Sequence, residues 1–200
     1  MVVVAAWWPG GLVSVGDGEP LYRYRPSTPS MEWAVSVQTG PDAVVLACRA
    51  PEVRVDTNGG VRLALGGVSA WTEPGQPRLP VFAFVLEVND NVMWSIDVEP
   101  GAFHDQAIGW LHPMPSLVSV SESDEVSRMT EIEQPDPAVY ELDTFWPGQW
   151  HGVDEAKGGG RRFLRVALHP WHYQPRQQTL RTYSNLMVTV RFQAGGAAGP

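Results

Sequence analysis

The side chains able to do chemistry are few and far apart. The single cysteine, Cys48, closes the apolar run Ala43-Val44-Val45-Leu46-Ala47. It excludes an internal disulfide and reads as a small buried hydrophobe, because neither a Gly-rich turn nor a histidine accompanies it. His169 and His172 are the nearest histidine pair, but Pro170 breaks a helix between them and no third ligand has a matching spacing, so no metal is expected. Glu122, Asp124 and Glu125 lack the alternating Asp/Asn and glycine that bend a loop round calcium. Nothing singles out a carboxylate pair for glycoside hydrolysis. The nucleophile-elbow, zinc-helix, phosphate-loop and dinucleotide patterns are all missing. These residues predict a chain with no catalytic machinery and no cofactor. Nine tryptophans remain to be accounted for. Core use is the ordinary fate of so large an apolar ring. The alternative is a carbohydrate- or surface-binding module in which Trp146, Trp150 and Trp171 form a stacking platform, centred on Phe145-Trp146-Pro147-Gly148-Gln149-Trp150-His151.

The elements that must position these residues are strands. Gly (20) and Pro (18) are spread evenly through 200 residues, which leaves little room for long helices. Met31 to Gln38 alternates, with Trp33, Val35 and Val37 on one face. Val53 and Val55 precede Asn58-Gly59-Gly60 and Val61-Arg62-Leu63-Ala64-Leu65, a hairpin signal in which Asn-Gly supplies positive φ. Val81 to Val88 and Val92 to Val98 flank Asn89-Asp90-Asn91, a second hairpin candidate. Arg161 to Leu168 reads as a strand buried on both faces, and Leu186, Val188, Val190 and Phe192 as the last clear strand. Short strands at such spacing predict an all-β fold, an antiparallel β-sandwich with little helix. The helix candidate is Ser123 to Glu133, where Val126, Met129 and Ile132 recur at helical spacing. The expected organisation is an N-terminal strand or extension over 1–30, a sandwich domain over 31–193 and a Gly/Ala linker or tail over 194–200.

With 18% charged residues and a net charge of −8, the chain has no general attraction for phosphate backbones or anionic lipid, so nucleic acid is excluded as a partner class. No run approaches the about 20 apolar residues of a spanning helix, so no membrane insertion is expected. Met1 to Trp8 is apolar, stops at Pro9-Gly10-Gly11 and lacks a basic leader, so it reads as a strand rather than a signal peptide. Charge is concentrated in one place. Glu122, Asp124, Glu125, Glu131, Glu133, Asp136, Glu141 and Asp143 surround a lone base, Arg128. The heart of it is Ser119 to Gln134, bracketed by Pro113 and Pro115 on one side and Pro135 and Pro137 on the other. This acidic segment is the predicted functional loop.

Ordered motifs cover residues 70 to 192. Gly75-Gln76-Pro77-Arg78-Leu79-Pro80 has the form G-x-P-x-L-P, followed by an apolar strand. Phe145-Trp146-Pro147-Gly148 is an aromatic-Pro-Gly step, and Gly160-Arg161-Arg162-Phe163 starts a strand. Pro170-Trp171-His172-Tyr173-Gln174-Pro175 has the form P-x-x-Y-x-P, and Thr179 to Val190 reads as a closing strand pair. In this order the motifs resemble the N-terminal propeptide domain of the gingipain-type cysteine peptidases. Gly75, Pro77, Leu79, Pro80, Pro147, Gly148, Pro170, Tyr173 and Pro175 are the scaffold positions of the resemblance. They make physical sense as such. Pro77 and Pro80 impose extended backbone. Pro170 and Pro175 would frame a turn in which Tyr173 buries its ring and bonds its hydroxyl to backbone.

The resemblance implies a non-enzymatic β-sandwich, secreted or periplasmic. It would cap a caspase-like cysteine peptidase catalytic domain, in the same precursor or in trans, assist its folding and keep it latent until cleavage. It further implies that a loop arginine enters the substrate pocket of Arg-specific members. The matching positions are Ser127, Arg128 and Met129, and Arg128 would make a charge-assisted bidentate pair with a carboxylate at the pocket floor. Read from the residues alone, an Arg such as Arg128 on a polar loop is usually a solvated charge, here balancing its acidic neighbours.

Overall fold

The structure, a computed structural model, describes residues 21–25, 34–50, 54–56, 62–64, 73–123, 126–159 and 161–194. The strands are β1 (Tyr22–Arg25), β2 (Ala34–Thr39), β3 (Ala43–Arg49), β4 (Arg54–Asp56), β5 (Arg62–Ala64), β6 (Phe82–Val88), β7 (Val92–Pro100), β8 (Phe103–Ala107), β9 (Ser116–Ser123), β10 (Val126–Ile132), β11 (His151–Gly158), β12 (Arg161–Leu168), β13 (Trp171–Gln174), β14 (Thr179–Tyr183) and β15 (Asn185–Ala194), with one helical turn, α1 (Pro137–Tyr140), after β10.

Two four-stranded antiparallel sheets, β1-β6-β12-β11 and β2-β3-β15-β7, enclose the main core. Period-two alternation decides which side chains enter it. In β15, Leu186, Val188, Val190 and Phe192 are buried while Asn185, Met187 and Arg191 face out. β3 contributes Val44, Leu46 and Cys48; the opposite sheet answers with Phe84, Leu86, Val88, Leu164, Val166 and Leu168. Tyr22 of β1 stacks on Phe192 across the layers at 4.3 Å, and its hydroxyl donates to Ala43 O at 2.8 Å. Each such side chain fully buried stabilises the fold by about 1.5–3 kcal/mol. The all-β sandwich predicted from the strand spacing is therefore the observed architecture.

Local expectations fared unevenly. β4 and β5 pair through Val55 and Leu63 as the Asn-Gly signal predicts, although Asn58-Gly59-Gly60 lies outside the described residues. Of the strand predicted over Met31 to Gln38, residues 34–38 lie in β2, an edge strand, and residues 31–33, Trp33 among them, lie outside the described residues. The second hairpin is overturned. β6 pairs with β1 and β12, and β7 pairs with β15, so the turn closed by the Val92 amide on Asn89 O (3.1 Å) carries the chain between layers. None of residues 89–91 adopts positive φ, so the backbone has no two-residue hairpin turn there. β12 is buried on both faces only towards its end, where Val166, Ala167 and Leu168 are all enclosed, whereas Arg165 is exposed.

The helix expected over Ser123–Glu133 is also overturned, and so is the acidic loop around it. The segment forms β9 and β10, an antiparallel pair in register from Leu117↔Glu131 to Arg128↔Val120. The stripe of Val126, Met129 and Ile132 competed with a Val/Ser/Thr-rich composition on both legs. β-Branched residues favour the pleated strand, and Ser and Thr weaken a helix by bonding nearby backbone. Among the described residues the helical turn is α1, where Asp136 Oδ1 caps the Ala138 amide at 2.9 Å. The turn expected between Pro170 and Pro175 is instead strand β13. It is drawn into extended form by main-chain pairing with β14 on one side and with Trp146 on the other.

Candidate functional site

The β9–β10 hairpin is a two-stranded sheet of its own, hydrogen-bonded to neither layer of the sandwich. Directly opposed residues of an antiparallel pair share a face. Leu117, Ser119, Met129 and Glu131 therefore lie on one side, and Ser116, Val118, Thr130 and Ile132 on the other. Leu117 is 65% exposed and Met129 58%, with Val118 and Ile132 exposed on the reverse face. Two-stranded hairpins are marginal in water without a covering layer. This one is held at its root.

The holding structure is a second core: Leu79, Ile108, Leu111, Trp171, Tyr173 and Leu180, with Trp146 and Tyr140 packed against it. The sheet β13-β14-β8 lies over it. Residues 75–78 form a strap against the chain leading into β9. The Gly75 amide donates to Met114 O (2.8 Å), the Met114 amide to Gln76 O (2.7 Å) and the Arg78 amide to His112 O (3.2 Å), and Pro77 bridges Pro113. Gly75 O also accepts from the Asp136 amide (2.9 Å), just beyond β10. One glycine thus ties both legs of the hairpin. It sits at φ +87°, and a Cβ there would meet Gln134 O at 3.1 Å and the Asp136 amide at 3.2 Å. Only glycine combines that φ with that approach.

Tyr173 stabilises the same root from below. Its ring is fully buried; its hydroxyl donates to Gly109 O at 2.9 Å and accepts from the Leu111 amide at 3.0 Å. The expectation that this ring is buried with its hydroxyl on backbone is met. Burial raises its pKa, so the phenol remains the donor at neutral pH. Trp146 and Tyr173 exchange two main-chain hydrogen bonds, 2.8 and 2.7 Å, beside the cis Trp146–Pro147 bond. Pro170 O accepts from the Tyr183 amide at 2.8 Å and Pro175 O from the Gln178 amide at 3.1 Å. Gly75, Pro77, Leu79, Pro80, Pro170, Tyr173 and Pro175 are all buried, whereas Pro147 is half-buried and Gly148 exposed. Residues widely separated in sequence thus converge beneath the hairpin.

Other members of the root carried no recognisable signal. His112 Nδ1 lies 2.5 Å from Glu133 Oε2, joining one leg to the other. The Tyr140 hydroxyl donates to Leu111 O at 2.7 Å, and Trp110 packs on His112 and Tyr140. The available hint was the symmetry of Pro113 and Pro115 with Pro135 and Pro137, which mark the two legs of one hairpin.

Arg128 occupies a strand position opposite Val120, and Ser127 one opposite Ser121, so neither lies on the free loop expected for it. The tryptophan platform does not form: Trp171 is fully buried in the second core, and Trp146 and Trp150 pack against different cores. The pair His169 and His172 is not presented at the surface: His172 is only 4% exposed and His169 is half-buried. Among the described residues no three potential ligands cluster for a metal, and no helix is long and apolar enough to cross a membrane.

Two solved structures share the architecture. One is the complex of the pro- and mature domains of RgpB from Porphyromonas gingivalis, with a TM-score of 0.65, 20% identity and coverage of 84% of this chain and 88% of that one. The other concerns the zymogenic latency of gingipain K from the same organism, with a TM-score of 0.61, 18% identity and coverage of 87% and 100%. No curated protein matches the chain. A family match runs over residues 49–199, through the sandwich, the strap and the hairpin it ties down, and the chain accordingly belongs to the Propeptide_C25 family.

Proposed function

We propose that this chain is a non-catalytic latency domain, secreted or periplasmic, that binds and helps fold a gingipain-type cysteine peptidase catalytic domain, in the same precursor or in trans. The β9–β10 hairpin lies over the substrate cleft, and Arg128, flanked by Ser127 and Met129, enters the pocket of an Arg-preferring partner. The observation that carries this reading is the hairpin itself: a separate two-stranded sheet with large apolar side chains exposed on both faces, tied at its root by the family's motif residues. Family membership and the pro-domain architecture of the solved relatives support it. A buried guanidinium–carboxylate pair is the kind of contact that dominates an interface.

The test is inhibition of an Arg-preferring gingipain-type catalytic domain by purified chain. Arg128→Ala is expected to weaken binding by about 2–5 kcal/mol while changing the chain's own stability by no more than about 0.5 kcal/mol. Arg128→Lys restores part of the loss, because an ammonium cannot make the planar two-bond contact. An inhibition constant that does not change in Arg128→Ala removes this residue from the mechanism.

A further inference from the structure

Three histidines gather where the two cores meet. His151 opens β11, and the His169 amide donates to Trp150 O at 2.8 Å. His172 sits in β13, directly opposite Arg181 of β14. Its ring is almost wholly enclosed, and its Nε2, like the neighbouring Trp150 Nε1, is buried without a hydrogen-bond partner. Trp150 stacks on it at 6.4 Å and Tyr183 meets it edge-on at 5.2 Å. Trp150 and Tyr183 belong to the main core, while Trp171 and Tyr173, on either side of His172 in sequence, belong to the second. His172 is therefore on the seam between the sandwich and the platform of the hairpin.

The charges that act on His172 itself are of one sign. Arg181 lies across from His172, and His169 neighbours both His172 and His151. Asp97 of β7 acts on His151, and Asp105 of β8 is engaged with Arg181 through two contacts of 2.8 Å. The carbonyls of His169 and Gln149 favour a proton on His172. Burial outweighs them, pushing both His169 and His172 down to about 4. A protonated ring at this place would be a buried cation without a counter-charge.

We propose that this histidine seam is an acid-sensitive release: protonation of His172 and His169 parts the second core from the sandwich and so frees the hairpin from its root. The route runs through the next residue, Tyr173, whose hydroxyl holds Gly109 and Leu111 beneath the hairpin. The consequence for latency rests on the function proposed above, whereas the acid response itself does not. The direction follows from linkage. Both histidines have folded pKa values below the unfolded one, so the unfolded or opened chain binds more protons. The stabilisation is complete above the ordinary 6.5, declines as pH falls below it, and levels off below about 4.

The first experiment needs no peptidase. Melting of the purified chain is followed from about pH 7.5 to about pH 5, with His172→Phe, which keeps a ring in the seam, as comparison. The wild type is expected to lose about 10 °C and the variant, which keeps His169, about half of that. Equal losses overturn the proposal. Should His172→Phe fail to fold, imidazole NMR titration of the wild type decides: midpoints for His172 and His169 below the ordinary value, with Tyr173 and Leu111 signals shifting in step with them, support it, and titration at or above the ordinary value defeats it. Amide exchange locates the opening. On acidification the Leu111 amide should lose protection, measured against its intrinsic rate at each pH, before Val188 of β15 does; simultaneous loss would mean global acid unfolding and no release device. Finally, a preformed complex with an Arg-preferring gingipain-type catalytic domain is taken to about pH 5. Dissociation in the wild type and retention in His172→Phe is the expected result. Retention in both overturns the regulatory role. Failure to inhibit at neutral pH would defeat the latency reading alone and leave the acid response standing.

Discussion

Tyr173 shows how much one side chain carries at the residue scale. Its ring fills the second core and its hydroxyl satisfies two backbone groups, the Gly109 carbonyl and the Leu111 amide, that secondary structure leaves unpaired. Tyr173→Phe retains the ring and removes the hydroxyl. The buried Leu111 amide then has no acceptor, which costs about 1–3 kcal/mol. The loss should appear in chemical denaturation as a lower midpoint at unchanged slope. Inhibition should weaken as well, because Leu111 begins the leg that leads into β9. A stability equal to wild type would show that water takes over the hydroxyl's place. His172, one residue earlier, has the opposite character: a polar atom buried without a partner, tolerated while the ring remains neutral.

At the scale of the element, the hairpin and its strap form one unit. β9 and β10 supply the exposed surface, and residues 75–78 decide where that surface points. Gly75→Ala tests the dependence. The new methyl would press on the Gln134 carbonyl and the Asp136 amide, and the left-handed φ disfavours any side chain. Such strain costs about 1–3 kcal/mol. The expected outcome is a weaker inhibitor whose sandwich amides, such as Val188, remain protected from exchange while the Met114 amide loses protection. Loss of protection throughout the chain would instead make the strap part of the global core. The His112–Glu133 contact is a second tie across the same root, formed by side chains on the two legs.

For the whole molecule, the facing sheets form a shell around Cys48, which is 1% exposed and whose thiol burial pushes up to about 12. Thiolate is the reacting species, so native protein should resist a thiol reagent at neutral pH and react fully in denaturant. The residual native rate then measures global opening of the sandwich, independently of the hairpin. Rapid labelling under conditions where Val190 remains protected would show that Cys48 is reached by local opening of β3. Because the chain contains a single cysteine, the readout is unambiguous.

Sequence alone determined the fold class and most strands, because alternating burial is written directly into runs such as Leu186, Val188, Val190 and Phe192. It also determined the family, through proline and glycine positions that constrain backbone before any packing is known. The bonding role of Tyr173 was legible for a similar reason: an amphipathic ring among prolines and aromatics is buried body first and needs a partner for its tip. Pairing was not legible. β6 and β7 adjoin in sequence yet belong to opposite layers, because the choice of partner depends on which core each strand completes. The acidic segment carried both a helical stripe and a strand composition, and cross-strand contacts absent from any local window decided between them. The burial of Trp171 follows from its size, but that of His172 beside it does not. Only the convergence of β13, β14 and residues 146–150 on one place encloses it. Local sterics and alternation act over a few residues and can be read from the chain; enclosure is a sum over distant segments and exists only once they have met.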